Sequence, residues 1–385
     1  MSDRVLAAFV PLVDCAVLVA AREQGFAREQ GIDLVLVREP SWSSLRDHLN
    51  LGHVDCAHAL APLPIASSLG VGHVVAEMTV PFVLSRGGNT VTLSSALADE
   101  IARLPGGRPE SPLGWAAGLA RVAAARATPL TLGMVHPFSG HNFELRYWLA
   151  AAGVHPDRHV RIVAIPPPLM VESLTLGHVD GFCVGEPWGS LAVDRGIGRI
   201  VATKAQIFPG GVEKVLAVRP PVAAQGRRLQ ALLRALAAAA AWVDDPAHHV
   251  ELAETLARPE YVAVPAALIL RSLSGRLADG AGDVVDEPDF LYFARHGASA
   301  PLVAEAVWLY AQMARWGQVP AFPELRARAE RVFRPDIYRA SLGSVGAGAR
   351  GFASFDGVAF NAADVDAYLE HFSIRTPYVD ARGSL

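Results

Sequence analysis

The chain, 385 residues long, reads as an α/β protein of two similar lobes that face a shared cleft. Three observations carry that reading. Strand-length and helix-length patterns alternate in the first sixty residues and again from residue 130, the run LxLGHVD occurs twice, and two extended, glycine-punctuated stretches lie where the chain must cross between lobes.

Leu6–Val10 opens the first half as a strand. Ala16–Gly25 has helical spacing, Ile32–Val37 is a strand, Ser43–Leu51 a helix behind serines able to cap it, and Cys56–Leu60 a strand. The second half repeats this order. Leu130–Val135 is a strand and Asn142–Ala152 a helix, with Leu145, Trp148, Leu149 and Ala152 at i, i+3, i+4, i+7 and Gly153 at the C-cap position. Val160–Ile165 is a strand, Leu169–Leu176 a helix and Gly181–Val184 a strand. Val80–Thr92 and Gly210–Arg219 are the crossovers. Residues 1–85 with 215–385 then form the first lobe, and residues 86–214 the second. Arg227–Val243, His248–Leu256, Pro265–Gly275 and Ala300–Trp316 read as helices, and Ser94–Ala127 as one or two helices around a loop at Gly106–Pro112. In the glycine-rich stretch Ser344–Gly357 and beyond it, Phe355–Phe360 reads as a small hairpin around Asp356-Gly357.

The repeat supports a duplicated lobe. LNLGHVDCAHALAP (Leu49–Pro62) and LTLGHVDGFCVGEP (Leu174–Pro187) share a helix ending at Leu-Gly, a His-Val-Asp turn, a short apolar strand and a proline seven residues past the aspartate. Two copies are too few for a solenoid. Two such lobes direct the C-terminal ends of their strands, and the loops there, into one cleft.

Composition narrows the function. Hydrophobic residues make up 51% and charged residues 19% of a chain with net charge −4, enough for large cores and without the basic excess of a nucleic-acid binder. Cys15, Cys56 and Cys183 are too scattered for a disulfide framework or a CxxC metal site. His136 and His141 lack the spacing of a metal motif, no GxSxG elbow is present, and Pro209–Gly211 is not followed by the residues of a phosphate loop. Cys183 lies in an apolar strand, as an inert thiol does. No catalytic residue, metal or cofactor is therefore expected. At the N-terminus, Pro11 and Asp14 interrupt the apolar run and no clean cleavage site follows, which reads as a cytoplasmic protein without a signal peptide.

What remains is donor-rich loops at strand ends. EPSWSSLRD exposes Trp42, RGGNTVT offers Asn89, HPFSGHN offers His136 before a helix N-terminus, VGEPWG offers Gly185, and VEKVL places Lys214 just before the return strand. Ser139, His141, Glu186 and Trp188 flank these positions. One cation, a few N–H donors and an aromatic wall suit a small planar monovalent anion, and Lys214 is read as the cleft's only cation.

At these residues the chain resembles the nitrate/bicarbonate-type solute-binding proteins of ABC transporters, the NrtA/CmpA-like family. It also resembles their cytoplasmic relative, the NasS-type nitrate/nitrite sensor. The matching runs are SWSSLRDHLNLGHVDCAHALAPLPIA, GGNTVTLS, LGMVHPFSGHNFELRYWLAAAGV, PPPLM with DGFCVGEPW, EKVLAVR and FDGVAFNAADVDAYL. The resemblance implies a type II periplasmic-binding fold that closes on the anion, with Trp42, Asn89, His136, Gly185 and Lys214 lining the site. A lysine at position 214 then favours bare nitrate or nitrite, and the sequence does not rank the two. For the sensor it further implies an RNA-binding antiterminator partner, NasT-type with an ANTAR domain, released on ligand binding. A transporter-associated binding protein is the alternative. An enzyme of thiamine-precursor synthesis shares the fold, but its cysteine-rich metal motif is missing.

Overall fold

A computed structural model of the protein describes residues 3–71, 75–343 and 354–379. Five strands in chain order begin it: β1 (Asp3–Phe9), β2 (Ile32–Arg38), β3 (Cys56–Leu60), β4 (Thr79–Gly87) and β5 (Asn89–Ser94). Five more follow: β6 (Leu130–Met134), β7 (Val160–Ala164), β8 (Gly181–Gly185), β9 (Gly198–Thr203) and β10 (Val212–Val218). The first sheet has the order β2-β1-β3-β10-β4, with Leu291–Tyr292 beyond β4, and the second has the order β7-β6-β8-β5-β9. In each, a parallel trio receives one antiparallel strand, β10 beside β3 and β5 beside β8. Those two strands arrive from the opposite lobe, so the crossovers are built into the sheets.

The repeated Leu-Gly-His-Val-Asp run does the same work in both lobes. Each helix before it ends at a left-handed glycine, Gly52 at φ 80° and Gly177 at φ 69°, a conformation glycine adopts without a Cβ clash. Each aspartate then ties its turn to the first strand of its trio. Asp55 N donates to Leu6 O at 2.9 Å and Asp55 Oδ2 accepts from Leu6 N at 2.9 Å. Asp180 N donates to Thr131 O at 2.7 Å, and Asp180 Oδ2 accepts from Thr131 N at 2.8 Å. Backbone groups at a sheet end are thereby paired instead of being left to water.

Gly87 and Gly88 join β4 to β5 at φ 73° and 85°, and a Cβ on Gly87 would lie 2.0 Å from the Phe290 carbonyl oxygen. Only glycine fits there. Gly87 N also donates to Gly211 O at 3.2 Å, which fastens the two crossovers together. Arg86, Gly87, Val212 and Lys214 belong to the first sheet, just inside the divide read from the sequence at 86 and 214.

The C-terminal half covers the first lobe and reaches the second. The helix Val303–Arg315 is bound to β4 through the Glu305–Arg86 ion pair. Beyond it, Phe355 N donates to Ile207 O at 3.0 Å, Tyr147 OH to Asp356 Oδ1 at 3.0 Å, and Thr376 Oγ1 to Asp157 Oδ2 at 2.6 Å. This strap fastens the C-terminal segment to the second lobe. The hairpin expected at Phe355–Phe360 is instead an irregular turn, in which the Asp356 carboxylate accepts from Ser354 Oγ at 2.6 Å and Val358 N at 3.3 Å. A side chain there takes the bonds a partner strand would have supplied. Of the glycine-rich stretch, residues 344–353 lie outside the described residues. The helix read over Leu169–Leu176 is a 3-10 turn, Pro167–Leu169, running into Met170–Thr175.

Candidate functional site

On the first lobe, Trp42 begins the helix after β2, where Ser41 Oγ accepts from Ser44 N at 3.1 Å. It is 1% exposed, not open to solvent as the sequence suggested, because its ring packs against His58 of β3 at a centroid distance of 5.7 Å. Lys214 lies within the return strand and not before it. Register shifts in β10 on both sides of Lys214 break the two-residue alternation. The neighbours Glu213 and Lys214 can then meet, Oε1 to Nζ, at 2.9 Å. Lys214 Nζ is also 2.7 Å from Asp14 Oδ2 and 5.4 Å above the Trp42 ring. Asp14 turns its other oxygen to His58 Nε2 at 3.0 Å.

On the second lobe, Asn89 and Gly185 are directly paired across β5 and β8. His136 lies in the loop just past the C-terminal end of β6, the strand that pairs in parallel with β8. A Cβ on Gly185 would lie 3.4 Å from Asn89 Oδ1 and 3.6 Å from Asp14 Oδ2, so this glycine is where the lobes come together. Trp42, Asn89, Gly185 and Lys214 therefore converge on Asp14. His136 stands one strand to the side. Its Nδ1 accepts from Phe138 N at 3.1 Å, which leaves Nε2 to carry the proton of the neutral ring.

The flanking residues have structural work. Ser139 caps the helix Gly140–Ala151 by accepting from Asn142 N at 3.0 Å. The helix entrance that the sequence offered to an anion already faces one, since a Cβ on Gly140 would lie 2.3 Å from Glu213 Oε2. His141 Nδ1 is 3.6 Å from Glu213 Oε1. The Glu186 carboxylate accepts from Thr90 Oγ1 at 3.1 Å, Ser190 N at 3.2 Å and Ser272 Oγ at 3.3 Å, and Trp188 is buried behind it.

Lys214 is not the cleft's only cation. Lys204 Nζ, 3% exposed, lies 2.5 Å from Glu213 Oε2 and 2.6 Å from Glu144 Oε1, whose other oxygen accepts from Asn89 Nδ2 at 3.0 Å. A continuous buried chain thus runs Trp42–His58–Asp14–Lys214–Glu213–Lys204–Glu144–Asn89 from one lobe to the other. Burial alone would raise the Asp14 carboxyl, but Lys214 and His58 draw it below the usual carboxylate range. Burial likewise opposes ionisation of Glu213, and Lys204 and Lys214 overcome it, holding it well below normal. In both lysines burial would favour the neutral amine, and the flanking carboxylates keep the ammonium. Burial raises the Glu144 carboxyl, and Glu213 adds to that effect. His141 is pushed by burial down to about 3. Cys183 is a buried thiol raised by burial and by Glu144, too protonated to act as a nucleophile. Among the described residues no group of three or more His, Cys, Asp or Glu side chains is placed to hold a metal ion.

Residues 2–257 match the model of the NMT1-like family. The chain belongs to that family. It is 30% identical over 380 residues to the nitrate/nitrite binding protein NrtA of Synechococcus elongatus, covering 94% of this chain and 84% of that one. A crystal structure of the periplasmic nitrate-binding protein NrtA from Synechocystis superimposes with a TM-score of 0.90 at 27% identity, covering 97% of this chain and 99% of that one. Against the nitrate import ATP-binding protein NrtC of Synechocystis the identity is 36% over 383 residues, 95% of this chain. The chain spans about half the length, 54%, of that protein, and 55% of bicarbonate transport ATP-binding relatives. The fold is that of the periplasmic binding proteins, and the relatives matched over most of both chains are binding proteins and not enzymes.

Proposed function

We propose that the cleft binds a small monovalent oxyanion, nitrate or nitrite, and that the chain is the solute-binding component of an ABC-type importer. One observation carries the anion reading. Among the described residues the buried Trp42 Nε1–H has no hydrogen-bond acceptor, and the indole lies beside the Lys214 ammonium where Asn89 and Gly185 of the other lobe arrive. A buried N–H donor without a partner costs about 1–3 kcal/mol, which an anion oxygen would recover. Similarity to nitrate-binding proteins over nearly the whole chain supports the choice of ligand, and Lys214 supports nitrate over bicarbonate. Trp42, Asn89, His136, Gly185 and Lys214 are the proposed contacts.

Titrating nitrate, nitrite and bicarbonate into the protein while following tryptophan fluorescence tests this. Nitrate or nitrite should change the signal saturably, and bicarbonate should not. No response to any of the three would end the anion reading. The finer reading is a cytoplasmic sensor whose open form holds an antiterminator of the NasT type. It rests on the resemblance of the Ser41–Ala66 and Leu132–Val154 runs. Size-exclusion chromatography with such an antiterminator separates the two roles, because a complex dissolved by nitrate supports the sensor and co-elution in neither condition leaves the importer component.

A further inference from the structure

The interlobe cluster holds more acid than base. Among the described residues the ammonium groups paired with Asp14, Glu144 and Glu213 are those of Lys204 and Lys214, and none of the five is more than 3% exposed. An anion entering such a place adds a negative charge where no positive charge is spare. Moving an uncompensated charge out of water is unfavourable enough that something positive must accompany it.

The geometry shows where. His58 is fully buried, with Nε2 at 3.0 Å from Asp14 Oδ1, and among the described residues neither ring nitrogen makes a hydrogen bond. With the Asp14 carboxylate beside Nε2, the neutral ring carries its proton on that nitrogen, so Nδ1 presents a lone pair, which repels an anion. A proton added at Nδ1 converts that lone pair into a donor, and the Asp14 carboxylate is already in place to stabilise the imidazolium. The imidazole packs against Trp42, ring centroids 5.7 Å apart, and among the described residues the indole N–H also lacks an acceptor.

We propose that the anion binds together with one proton, carried by the Asp14–His58 pair, so that His58 Nδ1–H and Trp42 Nε1–H both donate to it. This rests on the anion reading above. Lys214 then keeps its ion pairs with Asp14 and Glu213. In the empty cleft burial holds His58 below its ordinary pKa, against the opposing pull of Asp14, and Lys214 adds to the depression. A neighbouring anion raises it. The facing groups are Asp14 after β1, Glu213 and Lys214 on β10, and Lys204, His141 and Glu144 from the second lobe. The thiols of Cys15 and Cys183 stay protonated because burial raises both. Between the His58 pKa of the empty cleft and that of the filled one, each anion takes up one proton. Affinity then falls about tenfold per pH unit as pH rises.

Calorimetric titration of the wild-type protein with nitrate, in two buffers of different ionisation enthalpy and over a pH series, reads this directly. Close to one proton taken up per nitrate is expected, with affinity weakening about tenfold per pH unit above the empty-site pKa. In His58→Asn the uptake should vanish and the affinity should become flat with pH. Nitrate binding without proton exchange in the wild type overturns the proposal while leaving the anion reading intact. So does binding that requires a divalent cation, or uptake that persists in His58→Asn. Absence of nitrate and nitrite binding at every pH removes the anion reading itself.

Discussion

Two buried side chains show how the cluster governs stability residue by residue. His141 titrates near 3 in the folded protein against 6.5 ordinarily, so the unfolded chain takes up a proton first as pH falls. Its contribution is fully present above pH 6.5 and is lost progressively toward pH 3. The raised Glu144 carboxyl works in the opposite direction, gaining its proton earlier in the folded state. Comparison with His141→Asn isolates the histidine. Between pH 6.5 and 4.5 the wild type should lose about 1.4 kcal/mol per unit relative to that variant in urea unfolding. Parallel curves would show that His141 does not stay neutral. Lys214 offers a second case. Lys214→Met strands Asp14 and Glu213 beside a single remaining ammonium, and breaking a buried pair from one side costs roughly 3–5 kcal/mol. Adding Asp14→Asn should restore most of that loss. Strictly additive losses would mean the ion pair is not what binds the two sites together.

Among elements, the repeat makes a quantitative claim. Asp55 and Asp180 each accept from the first strand of their trio, so Asp180→Ala should cost about 1 kcal/mol in thermal unfolding and Asp180→Asn less, with Asp55 behaving alike. An Asp180→Ala protein as stable as wild type would reduce the repeat to a sequence coincidence. These strands and helices were legible because their information is local. Apolar period, serine caps and glycine stops lie within each element, and Cys56–Leu60 was read with its observed bounds. The site was only half legible. Asn89 and Gly185 sit at strand ends and Trp42 at a helix start, where the regular pattern breaks, whereas Lys214 lies inside β10 as a charge in an apolar strand. Asp14 was visible as an acid interrupting an apolar run, but its partner Lys214 is two hundred residues away. Lys204 begins a short capped helix, Lys204–Ile207, and resembles a surface lysine until β9 carries it inward. Glu213 is masked by strand alternation, which only the irregular register of β10 sets aside. Phe355–Phe360 misled because Asp-Gly marks a turn without specifying a ladder.

At the scale of the whole molecule, the paired crossovers at Gly87 and Gly211 and the strap at Asp356 and Thr376 help the buried ion chain to join the lobes. The strap bonds tie the C-terminal segment to the second lobe. Removing them with Asp356→Ala and Thr376→Ala should enlarge the radius of gyration of the anion-free protein in solution scattering. Apparent nitrate affinity should weaken by the fraction of molecules left closed. Unchanged scattering would mean the crossovers alone set the lobe angle. The buried chain from Trp42 to Asn89 also has a kinetic consequence. Separating the lobes would pull the Lys204 ammonium from the Glu213 carboxylate in a low-dielectric gap, so opening should be slow and activated. An incoming anion must wait for that event. Its observed association rate should stop rising with concentration and level off at the opening rate, and bound anion should leave no faster than the same latch lets go.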